Sequence, residues 1–408
     1  MRVLYFHQHF STPLGATGTR SYEMAKCLVR RGHKVTMVCG SYAGGQSGLN
    51  GMFVRGVRRG QVEGIDLIEL ELPYSNHDSF LKRSAVFIKF ALKSTFIALR
   101  EPCDLIFATS TPLTAGIPGL VAKFFKRKAF VFEVRDLWPE LPQAMGVIKN
   151  PIALGVMDLL ERLSYRMANG CIGLSPGIVE GIKRKSEADK AIVMIPNGCD
   201  LELFSPENDA HWRPPNVEAD HFMAVFTGAH GVANGLDSVL DVAGVLRLRK
   251  NNNIKIVFIG DGKLKQSLQQ RAENECLNNC CFLDPVPKKK LAGLLKTADV
   301  GLMILADIPA FYYGTSPNKF FDYIAAGLPV VNNYPGWLAG IIEKNKCGVI
   351  AEPGNAENFA DILENLAANQ SDLLTMGENA RSLAVKAFSR KNLALSFVDF
   401  LEEIADEK

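Results

Sequence analysis

No stretch of this 408-residue chain is long and apolar enough to span a bilayer. The greasiest segments, such as residues 113–122, fall far short of the roughly 20 residues a spanning helix needs. Cysteine is present without a framework: nine residues, an odd number at irregular spacing, exclude a disulfide-stapled scaffold and suit a reduced, cytoplasmic setting. Cys276, Cys280 and Cys281 lie close together, but no second pair accompanies them, so they read as core or free thiols and not as zinc ligands. Low-complexity tracts and solenoid repeats are also missing. The opening MRVLYFHQHF reads as a strand carrying two histidines, not as a secretory signal. Excess charge is small overall, at +3, but uneven. Residues 1–200 carry 26 Lys and Arg against 17 Asp and Glu, whereas residues 201–408 carry 20 against 26. Only the first half is therefore expected to face something anionic.

What the chain does have is apolar material, 47% of residues, enough for two cores of about 200 residues each. Short β-rich runs alternate with longer amphipathic ones. Strands are expected at residues 3–6, 35–38, 67–70, 105–108, 130–134, 171–174 and 192–195. After the Pro-rich stretch from Pro196 to Pro215 the pattern restarts, at 223–227, 255–259, 300–302, 330–331 and 348–350. Such alternation implies parallel sheets with helices on both faces, here twice over, with ligands at the carboxyl ends of strands.

Those strand ends carry the candidate chemistry. After the first strand, Gly15-x-x-Gly18 opens a helix, with Arg20 in its first turn as a phosphate candidate. The spacing is not Gly-x-Gly-x-x-Gly, and the second strand ends in Cys39-Gly40-Ser41 without a carboxylate for a ribose, which argues against a nicotinamide-cofactor dehydrogenase. Arg135-Asp136 closes another strand and reads either as an ion pair or as acceptor recognition and acid–base chemistry. In the second half, Gly228-Ala229-His230-Gly231 follows a strand directly. In Thr315-Ser316-Pro317-Asn318-Lys319-Phe320-Phe321-Asp322, Ser316 is expected to cap a helix. Lys319 then stands in a first turn, where a cation is unfavourable unless an anion is near. Asp322, three residues on, shares its face and can accept two ribose hydroxyls. Residues 80–100, FLKRSAVFIKFALKSTFIALR, form a basic amphipathic helix whose Lys82, Arg83, Lys89 and Lys93 are membrane candidates. The aromatic-basic run Phe124-Phe125-Lys126-Arg127-Lys128 adds to them. No nucleic-acid motif stands out.

Together these residues resemble the family 4 retaining glycosyltransferases. Arg31-Gly32-His33-Lys34-Val35 is similar to that family's lead-in to its second strand. Ile195-Pro196-Asn197-Gly198-Cys199-Asp200, with Phe204 and Pro206, is similar to its interdomain signature, and residues 320–331 to its helix-to-strand signature. Arg135-Asp136-Leu137-Trp138-Pro139 and residues 316–323 resemble a subgroup that assembles bacterial O-antigens and capsules, including proposed L-fucosamine transferases. The resemblance implies an α/β protein of the GT-B fold, with two doubly wound Rossmann-like domains facing an interdomain cleft. Residues 1–203 form the acceptor and membrane-side domain and residues 204–389 the donor domain. A C-terminal helix of about residues 390–408 packs back on the first.

The same resemblance implies a nucleoside-diphosphate sugar, UDP-linked, as donor, with no cofactor and no metal. It also implies a polyprenyl-diphosphate-linked saccharide as acceptor at the cytoplasmic face of the inner membrane, in O-antigen or lipopolysaccharide synthesis. Asp322 matches the second acid of the family's motif, which holds ribose. The first acid would fall at Gly314, and the family's phosphate-binding Arg and Lys are replaced near Ala229 and Asn234. Diphosphate contact then passes to Lys319, with His230-Gly231 as second candidate. Backbone amides of residues 314–316 stand in for the lost acid, which favours a deoxy or N-acetylated sugar over glucose. The expected site has Lys319, Asp136 and Arg135 as catalytic residues. Gly18, His230, Gly231, Gly314, Thr315, Ser316, Asn318, Lys319 and Asp322 are its donor contacts. Two alternatives share the donor site: a hexosamine-nucleotide 2-epimerase, and a non-enzymatic membrane-assembly protein with a degenerate donor site.

Overall fold

Alternate residues of the first strand point to opposite faces, and both sets are apolar. Val3 and Tyr5 enter one core with Tyr22, Leu28, Phe107 and Phe397; Leu4 and Phe6 enter another with Phe90, Ile106, Phe132 and Tyr165. A strand buried on both faces needs helices on both sides, which is the signature of a parallel α/β sheet. The computed structural model describes residues 1–42, 44–75, 78–205 and 211–407, and Pro206 of the expected interdomain signature lies outside them.

The chain divides into two compact units. One comprises Met1–Asn197, Tyr313–Ser316 and Arg390–Lys408; the other comprises Gly198–Tyr312 and Pro317–Ser389. The first division thus falls at Asn197, where 203 was expected. In the N-terminal unit the strands are β1 (Arg2–Phe6), β2 (Lys34–Gly40), β3 (Val57–Val62), β4 (Ile65–Leu70), β5 (Leu105–Thr109), β6 (Ala129–Val134), β7 (Gly170–Gly173) and β8 (Ala191–Met194). Their order is β3-β4-β2-β1-β5-β6-β7-β8, parallel except for β3. The helices are α1 (Arg20–Arg30), α2 (Phe80–Arg100), α3 (Ile117–Lys126), α4 (Glu140–Ala144), α5 (Pro151–Met167) and α6 (Pro176–Lys185). In the second unit lie β9 (Phe222–Thr227), β10 (Ile254–Ile259), β11 (Cys280–Leu283), β12 (Val300–Met303), β13 (Val330–Asn332) and β14 (Gly348–Ile350), in the all-parallel order β11-β10-β9-β12-β13-β14. Its helices are α7 (Asp237–Leu248), α8 (Lys265–Asn274), α9 (Lys288–Leu295), α10 (Pro309–Gly314, whose last two residues group with the first unit), α11 (Asn318–Ala325), α12 (Trp337–Asn345), α13 (Ala356–Ala368) and α14 (Gln370–Ala387). Helix α15 (Arg390–Asp406) returns to the first unit. It packs on α1 through Phe397 and Leu401, and Arg31 donates to Glu402 at 2.7 Å.

Two strands escape the sequence pattern. β3, VRRGQV, is a polar edge strand turned onto β4 through Glu63-Gly64, both with left-handed φ (46° and 83°), the geometry a two-residue hairpin requires. β11 is Cys280-Cys281-Phe282-Leu283, an edge strand beside β10, so two of the three clustered cysteines are strand residues. No helix among the described residues is long and apolar enough to cross a membrane.

In each sheet the strand order reverses beside the first strand, between β1 and β5 and between β9 and β12. Loops leaving such neighbours diverge and open a crevice at the carboxyl end of the sheet. Residues 7–9 and 228–231 follow β1 and β9 at those points.

Candidate active site

The C-terminal unit holds the better-defined arrangement. Helix α11 is pinned by Tyr323, whose hydroxyl accepts from the Thr227 N–H at 2.9 Å and reaches the Val225 carbonyl at 3.2 Å. Gly301 on β12 makes room for the ring: a Cβ there would lie 2.5 Å from it. The helix is thereby fixed against β9 and β12, and its first turn is carried to the end of β9. Lys319 Nζ donates to Asn234 Oδ1 at 2.6 Å and to the Ile304 carbonyl at 3.3 Å, and it stands 4.3 Å above the Phe226 ring. It also lies against Gly228. No carboxylate among the described residues pairs with it, and burial pulls its ammonium from 10.5 down to about 7. A cation held among neutral dipoles with no counter-charge is arranged for an anion that arrives from outside.

The loops around Lys319 are set by glycine. The segment after β9 and the one after β10 lie so close that a Cβ on Gly260 would sit 1.8 Å from the Gly228 carbonyl oxygen. The His230 N–H donates to the Asp261 carbonyl at 2.9 Å, lacing the two together. Gly231 has open space around its Cα.

His230, expected to reach a phosphate, does something else. Its ring is fully buried among Phe226, Phe258 and Phe282, and neither ring nitrogen has a hydrogen-bond partner among the described residues. Burial, aided by Lys265 and Lys319, lowers it to about 4, so the ring is neutral at physiological pH and braces the loop from behind. The expectation of a His230 cation at the diphosphate is corrected on that ground.

Asp322 lies one turn along from Lys319, is buried, and accepts from Lys288 Nζ at the start of α9. The carboxylate is held in place by a partner that sequence reasoning missed. Lys288 was hidden in the run Lys288-Lys289-Lys290, which reads as a solvated cluster. The signal that singled out Lys319, a cation in a first helical turn, applied to it equally. Asn318 opens α11, half-buried. Ser316 is not its cap: Pro317 keeps extended backbone (φ −71°, ψ 129°), so the helix begins one residue later than expected. The Ser316 hydroxyl instead accepts from the Asn197 N–H at 3.1 Å. Gly314 closes α10 and is buried, and Thr315 is half-buried; both group with the N-terminal unit, as Ser316 does.

In the N-terminal unit the strand-end charges are engaged with one another. Arg20 is 2% exposed. Its Nε and Nη2 reach Glu133 Oε2 at 2.9 and 2.7 Å, and it donates to the carbonyls of Pro196 at 2.6 Å and Ile195 at 2.8 Å. The guanidinium knits α1, β6 and the segment after β8 together, and the expected phosphate role gives way to a structural one. Burial pushes the Glu133 carboxyl up, but Arg20 and Arg135 more than offset this and hold it below the usual range. Arg135 Nε meets the other Glu133 oxygen at 3.3 Å and its Nη2 meets Ser21 at 3.1 Å, which is the ion-pair reading of this residue. Asp136 accepts from the Thr111 hydroxyl at 2.9 Å, and burial raises its carboxyl above the ordinary value. Gly18 lies half-buried in the loop between β1 and α1. His9, in the turn after β1, packs against Tyr42 and Tyr74 with ring centroids 5.2 and 4.6 Å apart, and burial with Arg135 lowers it to about 4.

The membrane candidates on α2 separate into two kinds. Lys89 and Lys93 are exposed, and Lys82 is exposed but paired with Asp78 at 2.6 Å. Arg83 is half-buried with its guanidinium 5.8 Å from the Tyr74 ring centroid, so it does not belong with the outward lysines.

Comparison with known proteins completes the picture. Residues 15–198 match the family described as "Glycosyl transferase 4-like domain", and residues 209–383 match "Glycosyl transferases group 1". The chain is 25% identical over 334 residues to a probable glycosyltransferase, WbjE, of Pseudomonas aeruginosa, covering 78% of this chain and 80% of that protein. Among solved structures it is similar to sucrose-phosphate synthase from Thermosynechococcus elongatus, with TM-score 0.78, 16% identity and complete coverage of both chains. It is also similar to Anabaena HepE in complex with UDP-glucose, with TM-score 0.68 and 16% identity, covering 99% of this chain and all of that one. At such identities the likeness of structure concerns the fold, which is GT-B.

Proposed function

We propose, for a chain that belongs through its two halves to the 4-like and group 1 glycosyltransferases, that it transfers a sugar from a UDP-linked donor to a polyprenyl-diphosphate-linked saccharide, with retention of anomeric configuration, in the synthesis of a bacterial surface polysaccharide. The observation that carries the donor side is Lys319, a half-buried ammonium at the carboxyl end of β9 with no counter-charge among the described residues. As the bond between the sugar and the diphosphate breaks, negative charge grows on the departing oxygen. A lysine held there among dipoles that need not reorganise, and charged once the diphosphate is bound, stabilises that transition state more than the ground state. In this reading Lys319, not a metal ion, meets the charge. Asp322, steadied by Lys288, accepts the ribose hydroxyls. Gly228 and Gly231 let the backbone approach the phosphates.

The neighbours support a UDP donor, since HepE was solved with UDP-glucose. The relative WbjE is named a probable glycosyltransferase. The finer reading of an N-acetylated deoxyhexosamine follows from Gly314, which leaves no carboxylate where the family's first acid would stand. Asp136 and Arg135, at the end of β6, belong to the acceptor side. A lipid-linked acceptor places the enzyme at the cytoplasmic face of the inner membrane, with Lys89 and Lys93 of α2 turned toward anionic headgroups. The test is release of UDP from a panel of UDP-hexoses and UDP-N-acetylated deoxyhexosamines, with and without a polyprenyl-diphosphate-linked saccharide. Acceptor-dependent release with one donor is expected. Absence of both nucleotide binding and release across the panel would refute the reading.

A further inference from the structure

Helix α5 exposes Ile152, Val156, Leu159 and Leu163, at 77, 61, 57 and 40%. Spacings of four, three and four residues put them on one stripe, which a globular protein ordinarily turns to its core. Here the core-facing side is a different one, with Glu161, Ser164 and Tyr165 buried. Helix α2 repeats the arrangement. Val86, Phe90 and Ala98 enter the core, whereas Leu81, Ile88, Leu92, Phe96 and Leu99 are exposed. Helix α3 packs against both α2 and α5, and Phe124 and Phe125 near its end are each about 70% exposed. All three helices contribute to the same core on one side of the N-terminal sheet. Eleven large apolar side chains exposed on three helices that pack side by side are far more than scattered surface hydrophobes explain.

The charges around it select the partner. Helix α2 contains no acidic residue, and its Lys89, Lys93 and Arg100 are exposed, with Arg127 just beyond α3. Two copies meeting through this face would bring like charges together. An anionic lipid surface is complementary to both the apolar and the basic side chains. We propose that the outward faces of α2, α3 and α5 insert together into the interface of an anionic phospholipid bilayer, with the α5 stripe as an apolar anchor distinct from the lysines of α2. The proposal rests on the lipid-linked acceptor read above and extends it, because binding then has a component that salt does not screen.

The test is co-sedimentation of the full chain with vesicles of phosphatidylethanolamine containing about a quarter phosphatidylglycerol. Wild-type protein should retain part of its binding at high salt. Combined Ile152→Gln, Val156→Gln, Leu159→Gln and Leu163→Gln should lower partitioning by at least about 100-fold at low and high salt alike. Combined Lys89→Gln and Lys93→Gln should remove only the salt-sensitive part. A Val156→Trp variant should show blue-shifted emission on these vesicles. The proposal is overturned if the quadruple variant binds as wild type does, or if vesicles leave the emission of the Val156→Trp variant unmoved. It is also overturned if wild type is a dimer without vesicle affinity and the quadruple variant a monomer, since the stripe would then join two copies. UDP-sugar affinity reports on the other unit and should be unchanged. Vesicle binding through α5 in a protein that binds no UDP-sugar would support this face and refute the substrate reading.

Discussion

Lys319 should make donor binding consume protons. With its ammonium lowered to about 7, roughly nine-tenths of the free enzyme carries a neutral Lys319 at pH 8. A bound diphosphate favours the charged form and draws the group back toward its ordinary 10.5. Binding a UDP-sugar at pH 8 should therefore take up close to one proton. A UDP-sugar is the suitable probe because neither of its phosphates titrates near neutrality. Affinity should fall about tenfold per pH unit above 7, until the group's value in the complex is reached. Calorimetry at pH 8 in buffers of differing ionisation enthalpy reads the uptake directly, and Lys319→Met should abolish it. The same shift acts on stability, with a definite sign. The folded value lies below the unfolded one, so between pH 7 and 10.5 the unfolded chain binds more protons, and stability rises with pH across that window. Below 7 the cost of the desolvated ammonium is fully present. Lys319→Met should then stabilise the empty protein at pH 7, by on the order of 2–4 kcal/mol, and the gain should fade toward pH 10. Equal heats in all buffers at pH 8, or an uptake that survives Lys319→Met, would refute the reasoning.

Three further outcomes are expected. Asp322→Ala should weaken UDP binding by about 2–3 kcal/mol, through lost charge-assisted bonds and an unpaired Lys288; calorimetry with UDP checks it, and unchanged affinity removes Asp322 from the site. Arg20→Met should destabilise the N-terminal unit by about 3–5 kcal/mol in denaturant titration, because it leaves Glu133 buried without its main partner, while UDP affinity stays as it was. Gly260→Ala should lower both stability and UDP affinity, since the added methyl would meet the Gly228 carbonyl oxygen at 1.8 Å and push the two loops apart; a variant with wild-type melting and binding would show that those loops have slack.

Twelve of the fourteen strands among the described residues were legible in the sequence, because an apolar run bounded by turn residues has few other ways to bury itself. β3 was not legible: Val57-Arg58-Arg59-Gly60-Gln61-Val62 has no apolar face, and it is a strand because β4 offers it a free edge. The first-turn position of Lys319 and the shared face with Asp322 also follow from local spacing alone. Neighbours distant in the chain were decided only by the tertiary structure. Arg20 finds Glu133, 113 residues away, and is taken out of ligand binding. Lys319 finds Asn234 across 85 residues, at the loop that follows β9. His230 turns into an aromatic pocket instead of toward a phosphate. The α5 stripe makes the same point: its 4-3-4 spacing is readable in the sequence, but the spacing does not say which way the stripe looks. Periodicity is a property of one segment's backbone, whereas the facing direction is settled by which other side chains, here Tyr165 and Ser164, win the place against the sheet.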